Sequence, residues 1–151
     1  MSVRGSTLAS ALAAGDDEAM IAAVPYARYL GLIVRTDAPG RRAYVMPYRD
    51  AHIGNASLPA LHGGTLAALL ELAMQFEALI DTPAPRLPDP VDFTIDYWRS
   101  AGPAECIASA RLIRAGRHVA QVQAQCWQDN PDRPIAFARA TFVLREASAA
   151  T

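Results

Sequence analysis

One segment of the chain combines residue types that could carry out chemistry on a carbonyl group. A polar loop over 49–59 contains Asn55, and the sequence then reaches His62, Gly63 and Gly64 at the start of an apolar stretch that predicts a helix. The first amide groups of a helix have no partner within it, and they lie at the positive end of its dipole. Because glycines leave these amides uncovered, the turn could hold a carbonyl oxygen and stabilise the oxyanion formed from it.

Glu71 lies nine residues after His62, within a helix predicted over 61–81. Apolar side chains cover this helix in nearly every direction, which is typical of a helix buried inside a protein. We therefore expect Glu71 to have no solvent-facing side, and the chain contains no lysine to pair with it. Gln75 lies one turn later on the same face. Such a carboxylate is either functional or a structural group bonded to backbone or arginine, and the neighbouring glycine turn favours function.

The overall composition predicts one folded domain and excludes several classes of function. The chain has 151 residues, of which 52% are hydrophobic and 19% charged, enough to form a core. Its net charge of -1 offers no basic surplus for nucleic acid or an anionic membrane. Two cysteines, Cys106 and Cys126, supply neither a disulfide framework nor the ligands of a four-coordinate metal site, so no metal is expected.

The N-terminal stretch is the one part of the chain that resembles a targeting signal. Arg4 precedes a short run rich in alanine and serine, but Asp16, Asp17 and Glu18 follow at once, so an amphipathic helix is the better interpretation. No continuous apolar run reaches the roughly 18 residues of a membrane helix. The expected location is therefore the cytoplasm.

The first half of the chain is predicted to be mainly helical. One helix is expected over 8–23, with Pro25 either ending it or starting a further helical turn. Two strands, 32–36 and 42–46, flank an Ala-Pro-Gly turn. Four prolines within 82–90 cannot continue a helix, so this segment is predicted to be a stiff, extended connector to the second half.

The second half contains four segments in which residues alternate between two faces, at 91–98, 106–113, 120–127 and 136–144. Short loops join them, which is typical of an antiparallel meander with one buried face. That face carries mostly alanine and cysteine, so a bulky helix could lie close against it. We predict an α+β fold: a curved antiparallel sheet wrapped around one long central helix, with an extra N-terminal helix.

The expected organisation is an N-terminal helical segment over 1–30, a single domain over 31–145 and a disordered tail over 146–151. The outer strand faces carry more apolar side chains than a solvated sheet needs, Ile113 and Trp127 among them. This predicts a homodimer through strand edges, with face-to-face association into a homotetramer; the choice between the two states stays open.

The loop at 114–116 suits a three-residue hairpin with its glycine in the left-handed region. In that register Cys106 lies opposite Ala124, and Cys126 lies on the diagonal, ~7–8 Å away. That separation is beyond easy disulfide reach. Both thiols are therefore expected to be free and to belong to the core.

These features together resemble the hotdog-fold acyl-CoA thioesterases of the phenylacetate-degradation (PaaI-like) type, over the span 32–144. The resemblance rests on Asn55 before the Leu-His-Gly-Gly turn, on the acidic residue nine positions after that histidine, on Ile-Asp-Tyr-Trp-Arg-Ser-Ala at 95–101, and on Arg-Ala-Gly-Arg at 114–117 with Ala-Arg-Ala-Thr-Phe at 138–142. It implies the hotdog fold and hydrolysis of an acyl-CoA or aryl-CoA thioester. No metal or redox cofactor is implied, and coenzyme A enters only as part of the substrate.

The same resemblance implies roles for individual residues. The N–H of Gly63, with that of Gly64 as a fallback, would donate to the thioester carbonyl oxygen. Asn55 would orient the attacking water or the carbonyl, and His62 would shape the loop and touch the thioester. Glu71 would act as a general base toward water, or as a nucleophile that forms a mixed anhydride. The site would lie between two subunits, with Glu71 facing a turn of the partner chain.

Four further residues carry weaker signals. Many relatives have aspartate in place of Glu71, and serine or threonine in place of the candidate substrate contact Gln75, which bears on the choice of substrate. Arg114 and Arg117 flank a hairpin that lies near the nucleotide end of coenzyme A in this family, although a solvated turn explains them equally well. His52, in the loop before Asn55, could line the entrance to the site, but an exposed loop residue is the favoured interpretation.

Two other functions stay open at the level of sequence. One is a hotdog dehydratase or hydratase acting on acyl thioesters, since Glu-Leu-Ala-Met-Gln at 71–75 resembles the Glu-Ala-Met-Ala-Gln of acyl-carrier-protein dehydratases. Those enzymes pair the glutamate with a histidine on a Phe-Pro loop, a pattern that neither His52 nor His62 reproduces. The other is an acyl-CoA-binding module without catalysis.

Overall fold

Three short helices open the chain in the computed structural model, which describes residues 3–37, 40–82 and 86–146. They are α1 (Val3–Ala14), α2 (Asp17–Ala23) and α3 (Pro25–Leu30).

The single N-terminal helix predicted over 8–23 is wrong, because the chain reverses its backbone conformation at Gly15. This glycine has a left-handed φ of 65°, which ends α1. The side chain of Asp16 then accepts the N–H of Ala19 at 2.9 Å and caps the start of α2. Pro25 begins α3, where its missing N–H costs no helical hydrogen bond.

The rest of the chain forms a six-stranded antiparallel sheet, one long helix and a two-stranded ribbon. The elements are β1 (Ile33–Asp37), β2 (Arg41–Met46), a 3-10 turn (Asp50–His52), β3 (Ile53–Asn55), β4 (Ala60–Leu61), α4 (Gly63–Asp81), β5 (Arg86–Tyr97), β6 (Cys106–Ala115), β7 (Val119–Trp127) and β8 (Ala136–Glu146). The sheet has the order β1-β2-β6-β7-β8-β5, and β3 pairs with β4.

The helix α4 packs against β5, β6, β7 and β8 and forms the middle of the core. The strand face beneath it is made of small residues such as Ala108, Ala124 and Ala138, none more than 3% exposed. Large side chains of the helix, including Leu69 and Met74, fill the space that these small residues leave. The predicted architecture, a sheet around one long central helix, is confirmed.

The proline-rich connector predicted over 82–90 is in part a strand, and residues 83–85 lie outside the described ranges. The strand β5 begins at Arg86, and Pro88 and Pro90 lie opposite residues of β8. Since β5 is an edge strand, proline can occupy it without breaking a central ladder. A bulge between Pro90 and Asp92 turns Val91 outward, 60% exposed, although simple alternation would place it on the same face as the half-buried Phe93 and Ile95.

The predicted β6–β7 register is also wrong. Ala110, not Cys106, lies opposite Ala124, and the ladder shifts by one residue between Leu112 and Arg114. The turn lies further along the chain than predicted: the last pair of the ladder is Ala115–Ala120, and the turn closes with the N–H of Gly116 donating to the carbonyl of Val119. The later turn moves every pairing along β6, and the bulge takes back one residue, so the partner of Ala124 lies four residues beyond Cys106.

The prediction that both cysteines are free is confirmed although the register behind it is wrong, because Ala108 lies opposite Cys126 and Cys106 is again on the diagonal. Cys106 and Cys126 are free and buried. Burial raises the pKa of the Cys106 thiol to about 12 and that of Cys126 to about 11. Trp127, expected on the outer face, is only 7% exposed and belongs to the buried set instead.

The length and composition of α4 also bear on membrane insertion. By length and composition α4 could cross a membrane, but 56% of the relevant window is buried within the protein, and core helices satisfy the same criterion.

The helices α1 to α3 contribute Ala11, Met20 and Leu30 to the core. The division at residue 30 stays a prediction, and the tail predicted over 146–151 lies outside the described residues except for Glu146, the end of β8.

Candidate functional site

The turn at His62 and Gly63 begins α4 and is closed by the histidine itself. The side chain of His62 is the N-cap, and its Nδ1 accepts the N–H of Gly64 at 2.8 Å. The carbonyl of His62 accepts both the N–H of Thr65 at 3.0 Å and its hydroxyl at 2.7 Å. Side-chain capping thus consumes one of the amides that a helix start leaves open.

The amide of Gly63 is left as the open donor of this turn. Within residues 3–37, 40–82 and 86–146, no atom accepts its N–H, whereas the N–H of Gly64 is bonded to His62. The fallback role expected for Gly64 would require that bond to break. A Cβ on Gly63 would lie 3.2 Å from the hydroxyl of Tyr97, tighter than an ordinary contact, so glycine suits this position.

A second glycine supports the turn from behind. A Cβ on Gly54 would lie 2.8 Å from the Cα and Cβ atoms of His62, a distance that would force the histidine to move. The N–H of His62 donates to the carbonyl of His52 at 2.8 Å. The exposed Asn55 ends β3, and its Oδ1 accepts the N–H of Ser57 at 3.0 Å. That bond uses the amide oxygen of Asn55 and leaves its NH₂ group for any other contact.

The central helix has a solvent-facing strip after all, which corrects the expectation for Glu71. Gly64, Ala68, Glu71 and Gln75 follow one another along this strip, and the last three are half-buried. Among the described residues, the Glu71 carboxylate has no hydrogen-bond or ion-pair partner. Gln75, by contrast, donates from Nε2 to the carbonyl of Pro88 at 3.0 Å and ties α4 to β5.

A single chain does not bring all the predicted site residues together. Glu71 lies eight positions after Gly63 in α4, which is ~12 Å along a helix axis. Arg114 and Arg117 are exposed and lie at the far end of the sheet. One end of β5 is fixed there, where the Arg86 guanidinium donates to the carbonyl of Arg117.

The other end of β5 lies against the glycine turn, because Tyr97 donates from its hydroxyl to the carbonyl of Gly63 at 2.7 Å. The twelve residues from Arg86 to Tyr97 span roughly 35 Å of strand. The arginine hairpin and the glycine turn of one chain therefore cannot contact the same small group.

A second carboxylate on the same helix, Glu77, is buried and was not predicted from the sequence. Glu77 is 9% exposed, and its Oε1 accepts the hydroxyl of the fully buried Tyr44 at 2.7 Å. Burial raises the pKa of Glu77, the bond from Tyr44 opposes that rise, and the charge of Asp81 adds to it. The apolar residues around Glu71 continue to Glu77, between Phe76 and Ala78, so the same pattern could have predicted that Glu77 is buried.

His52 was expected to be exposed, and this is wrong, since it is only 3% exposed. Burial, together with the nearby charge of Arg49, lowers the pKa of its imidazole. Its Nδ1 is buried and has no hydrogen-bond partner in the described part of the chain. With its carbonyl bonded to His62, the residue acts on the turn through its backbone.

A cavity of about 500 Å³ opens where β2 and β6 diverge. Arg42, Arg111, Glu77 and Asp81 are among its lining residues, and none of the predicted site residues lines it. Within residues 3–37, 40–82 and 86–146, no group of three or more His, Cys, Asp or Glu side chains is placed to hold a metal ion.

Comparison with known proteins places this geometry in context. The family model described as the acyl-CoA thioesterase N-terminal domain matches residues 54–143, more than half of the chain. No curated protein matches the sequence.

Several solved structures share the fold. A Chromobacterium violaceum protein is 28% identical with a TM-score of 0.74, and the match covers 93% of this chain and 98% of that one. A phenylacetic acid degradation-related protein of Ralstonia eutropha is 24% identical over 91% and 98% of the two chains, with a TM-score of 0.72. A Bacillus halodurans protein crystallised with CoA is 19% identical over 96% and 93%, with a TM-score of 0.75.

Proposed function

This chain belongs to the acyl-CoA thioesterase family, and we propose that it hydrolyses an acyl-CoA or aryl-CoA thioester to the free acid and CoA. The observation that carries the proposal is that, among the described residues, neither the amide of Gly63 at the start of α4 nor the carboxylate of Glu71 further along the same helix has a partner. A donor for a developing oxyanion and a carboxylate able to activate a nucleophile are the two groups that acyl transfer requires.

The amide of Gly63 would donate to the thioester carbonyl oxygen as negative charge develops on it. Its position at the positive end of the α4 dipole adds to the attraction for that charge. With the N–H of Gly64 held by His62, Gly63 becomes the primary donor of the turn. The NH₂ group of Asn55 remains available to orient the attacking water or the carbonyl.

Glu71 would supply the base or the nucleophile. As a base, it takes a proton from water while the water oxygen bonds to the thioester carbon; the C–S bond then breaks, and the CoA thiolate leaves and takes up the proton. As a nucleophile, it displaces the thiolate to form a mixed anhydride that water hydrolyses. Both routes need a carboxylate that the protein has not already bonded, and Glu71 meets that condition among the described residues.

We further propose that the site is completed by a second copy of the chain in a homodimer or homotetramer. Reacting groups lie ~3–3.5 Å apart in a productive complex, whereas Gly63 and Glu71 of one chain are ~12 Å apart along α4. The half-buried strip on α4 and exposed apolar side chains such as Val91 favour association. A partner chain could then place its own glycine turn against Glu71.

Complementation between two inactive variants tests the shared site. Chains carrying Gly63→Val or Glu71→Gln are co-expressed with different tags, and the mixed assembly is isolated through both tags. If each site takes one residue from each chain, a mixed dimer keeps one intact site and about half of the parent turnover per chain. The same tags on two Gly63→Val chains are the control. A mixed assembly as inactive as either variant, or a monomer by light scattering, would refute the shared site.

Release of thiol from a panel of acyl-CoA and aryl-CoA esters tests the reaction itself. Hydrolysis frees CoA, whereas a dehydratase, a hydratase or a binding module without catalysis leaves the thioester intact. The thiol reagent should report CoA with little background, because Cys106 and Cys126 are buried. Binding of the panel without release of thiol would support the binding module and reject the hydrolase.

A further inference from the structure

The peptide group between Gly63 and Gly64 is held at both of its polar atoms by side chains. Its carbonyl oxygen accepts the hydroxyl of Tyr97 at 2.7 Å. Its N–H donates to Nδ1 of His62 at 2.8 Å. Because a peptide group is planar and rigid, these two bonds together fix the plane in which it lies. The open amide of Gly63 belongs to the preceding peptide group, whose orientation is set by the same turn.

The bond to His62 also fixes where the imidazole carries its proton. An Nδ1 atom that accepts a hydrogen bond has no proton of its own, so the neutral ring carries its proton on Nε2. His62 is exposed, and in the described part of the chain nothing accepts an Nε2–H bond from it. The ring therefore presents a single N–H donor at the mouth of the turn.

Three polar groups thus form one continuous chain of hydrogen bonds. The Tyr97 hydroxyl polarises the peptide carbonyl, the peptide N–H becomes a better donor, and the His62 ring beyond it is held more firmly. Partial burial raises the pKa of Tyr97, which keeps its hydroxyl protonated and donating. The Tyr97 hydroxyl can therefore donate to the peptide carbonyl, and the unprotonated Nδ1 of His62 can accept the peptide N–H.

We propose that Tyr97 is a positioning residue: through the Gly63–Gly64 peptide it holds His62 in the neutral Nε2–H form, and this N–H donates to the bound thioester. The kinetic part of this proposal rests on the proposed thioester hydrolysis, whereas the protonation state of His62 does not. Tyr97 itself need not touch the substrate. Its hydroxyl acts indirectly, by fixing the peptide group whose N–H donates to His62.

The variant Tyr97→Phe removes one oxygen atom and keeps the ring. In the parent, ¹⁵N spectra of the three histidines, assigned with a His62→Gln variant, should show a single Nε2–H form for His62. In Tyr97→Phe that signal should move toward a mixture of the two neutral forms. We expect kcat to fall about tenfold with KM nearly unchanged, the loss expected when one neutral hydrogen bond supports the transition state.

Tyr29→Phe is the matched control, since Tyr29 is 67% exposed and its hydroxyl has no partner among the described residues. It should change neither the ¹⁵N spectrum nor kcat. A parent His62 in the Nδ1–H form would overturn the proposal. So would a Tyr97→Phe variant that melts lower but keeps the parent kcat and His62 signal, because Tyr97 would then only stabilise the fold. If no substrate is hydrolysed, the proposed function fails, and the ¹⁵N result still decides the link between Tyr97 and His62.

Discussion

Glu71 and Glu77 lie six positions apart on α4, and the two carboxylates differ in exposure and in partners. Glu71 lies on the half-buried strip near the glycine turn and has no partner among the described residues. Glu77 is 9% exposed and accepts the hydroxyl of Tyr44 at 2.7 Å. In the N-terminal half of the helix, the amide of Gly63 and the carboxylate of Glu71 have no partner among the described residues. In the C-terminal half, the carboxylate of Glu77 is hydrogen-bonded inside the protein.

The difference has a simple origin in the sheet. Tyr44 belongs to β2, which lies near the second half of α4, and its ring stacks on Phe76 with 5.7 Å between centroids. The hydroxyl of Tyr44 then has Glu77 as its nearest acceptor. An apolar helix can therefore carry one carboxylate that is bonded inside the protein and one that is not, and the neighbouring strand decides which of the two is bonded.

The largest effect is expected at Glu71. Glu71→Gln should lower turnover by about 10²- to 10⁴-fold, the contribution typical of a general base, and should change the melting temperature little because no bond in the described structure is lost. Glu71→Asp should keep partial activity. Glu77→Gln is the matched control and should hydrolyse thioester at nearly the parent rate. Normal turnover by Glu71→Gln would show that Glu71 takes no part in the reaction, and the two halves of the helix would then not differ in function.

The next largest effect is expected at the glycine turn. Gly63→Val should cost ~10²- to 10³-fold in rate, as loss of one oxyanion donor does. A Cβ at this position would lie 3.2 Å from the Tyr97 hydroxyl, so the variant also presses on the residue that holds the turn. Circular dichroism and light scattering check that fold and assembly persist. Unchanged turnover in a folded variant would place the carbonyl site elsewhere.

A smaller effect, on stability alone, is expected at the other end of α4. Glu77→Leu leaves the buried Tyr44 hydroxyl without its acceptor and should lower the free energy of unfolding in urea by about 1–3 kcal/mol. Glu77→Gln should lose less, since its amide oxygen can still accept that bond. Activity per folded molecule should stay near the parent value. If fully folded Glu77→Leu lost most of its turnover, the carboxylate needed for the reaction would be Glu77, in the C-terminal half of the helix, and not Glu71.

The smallest effect is a pH dependence of stability that Glu77 introduces. Burial raises the pKa of Glu77 above the ordinary value of 4.5, so the folded state holds this proton more tightly than the unfolded chain. Stability from this group is therefore fully present below 4.5 and is lost as the pH rises through the raised folded value. The unfolding free energy of the parent relative to Glu77→Gln should fall over that window. A flat difference would show that burial of Glu77 carries no net cost.

Sequence patterns predicted the elements better than their register. Alternation along β6 and β7 correctly placed Cys106 and Cys126 on the buried face. Their pairing was wrong because the hairpin closes at Ala115–Ala120, later in the chain than the three-residue loop at 114–116 predicts. Alternation depends on immediate neighbours, whereas register depends on where the turn falls and accumulates every inserted residue. A bulge interrupts alternation only where it falls, as at Val91 in β5, which is exposed.

The sequence by itself determined that a long apolar helix would lie against a sheet lined with small residues, and that a glycine turn would begin it. Those features follow from local periodicity and from the conformational freedom of glycine. Only the tertiary structure decided that Tyr97 would reach Gly63 across 34 residues and that Tyr44 would bond Glu77 across 33. A hydrogen bond between distant residues depends on how strands diverge and bulge around the helix, and no local pattern records that geometry.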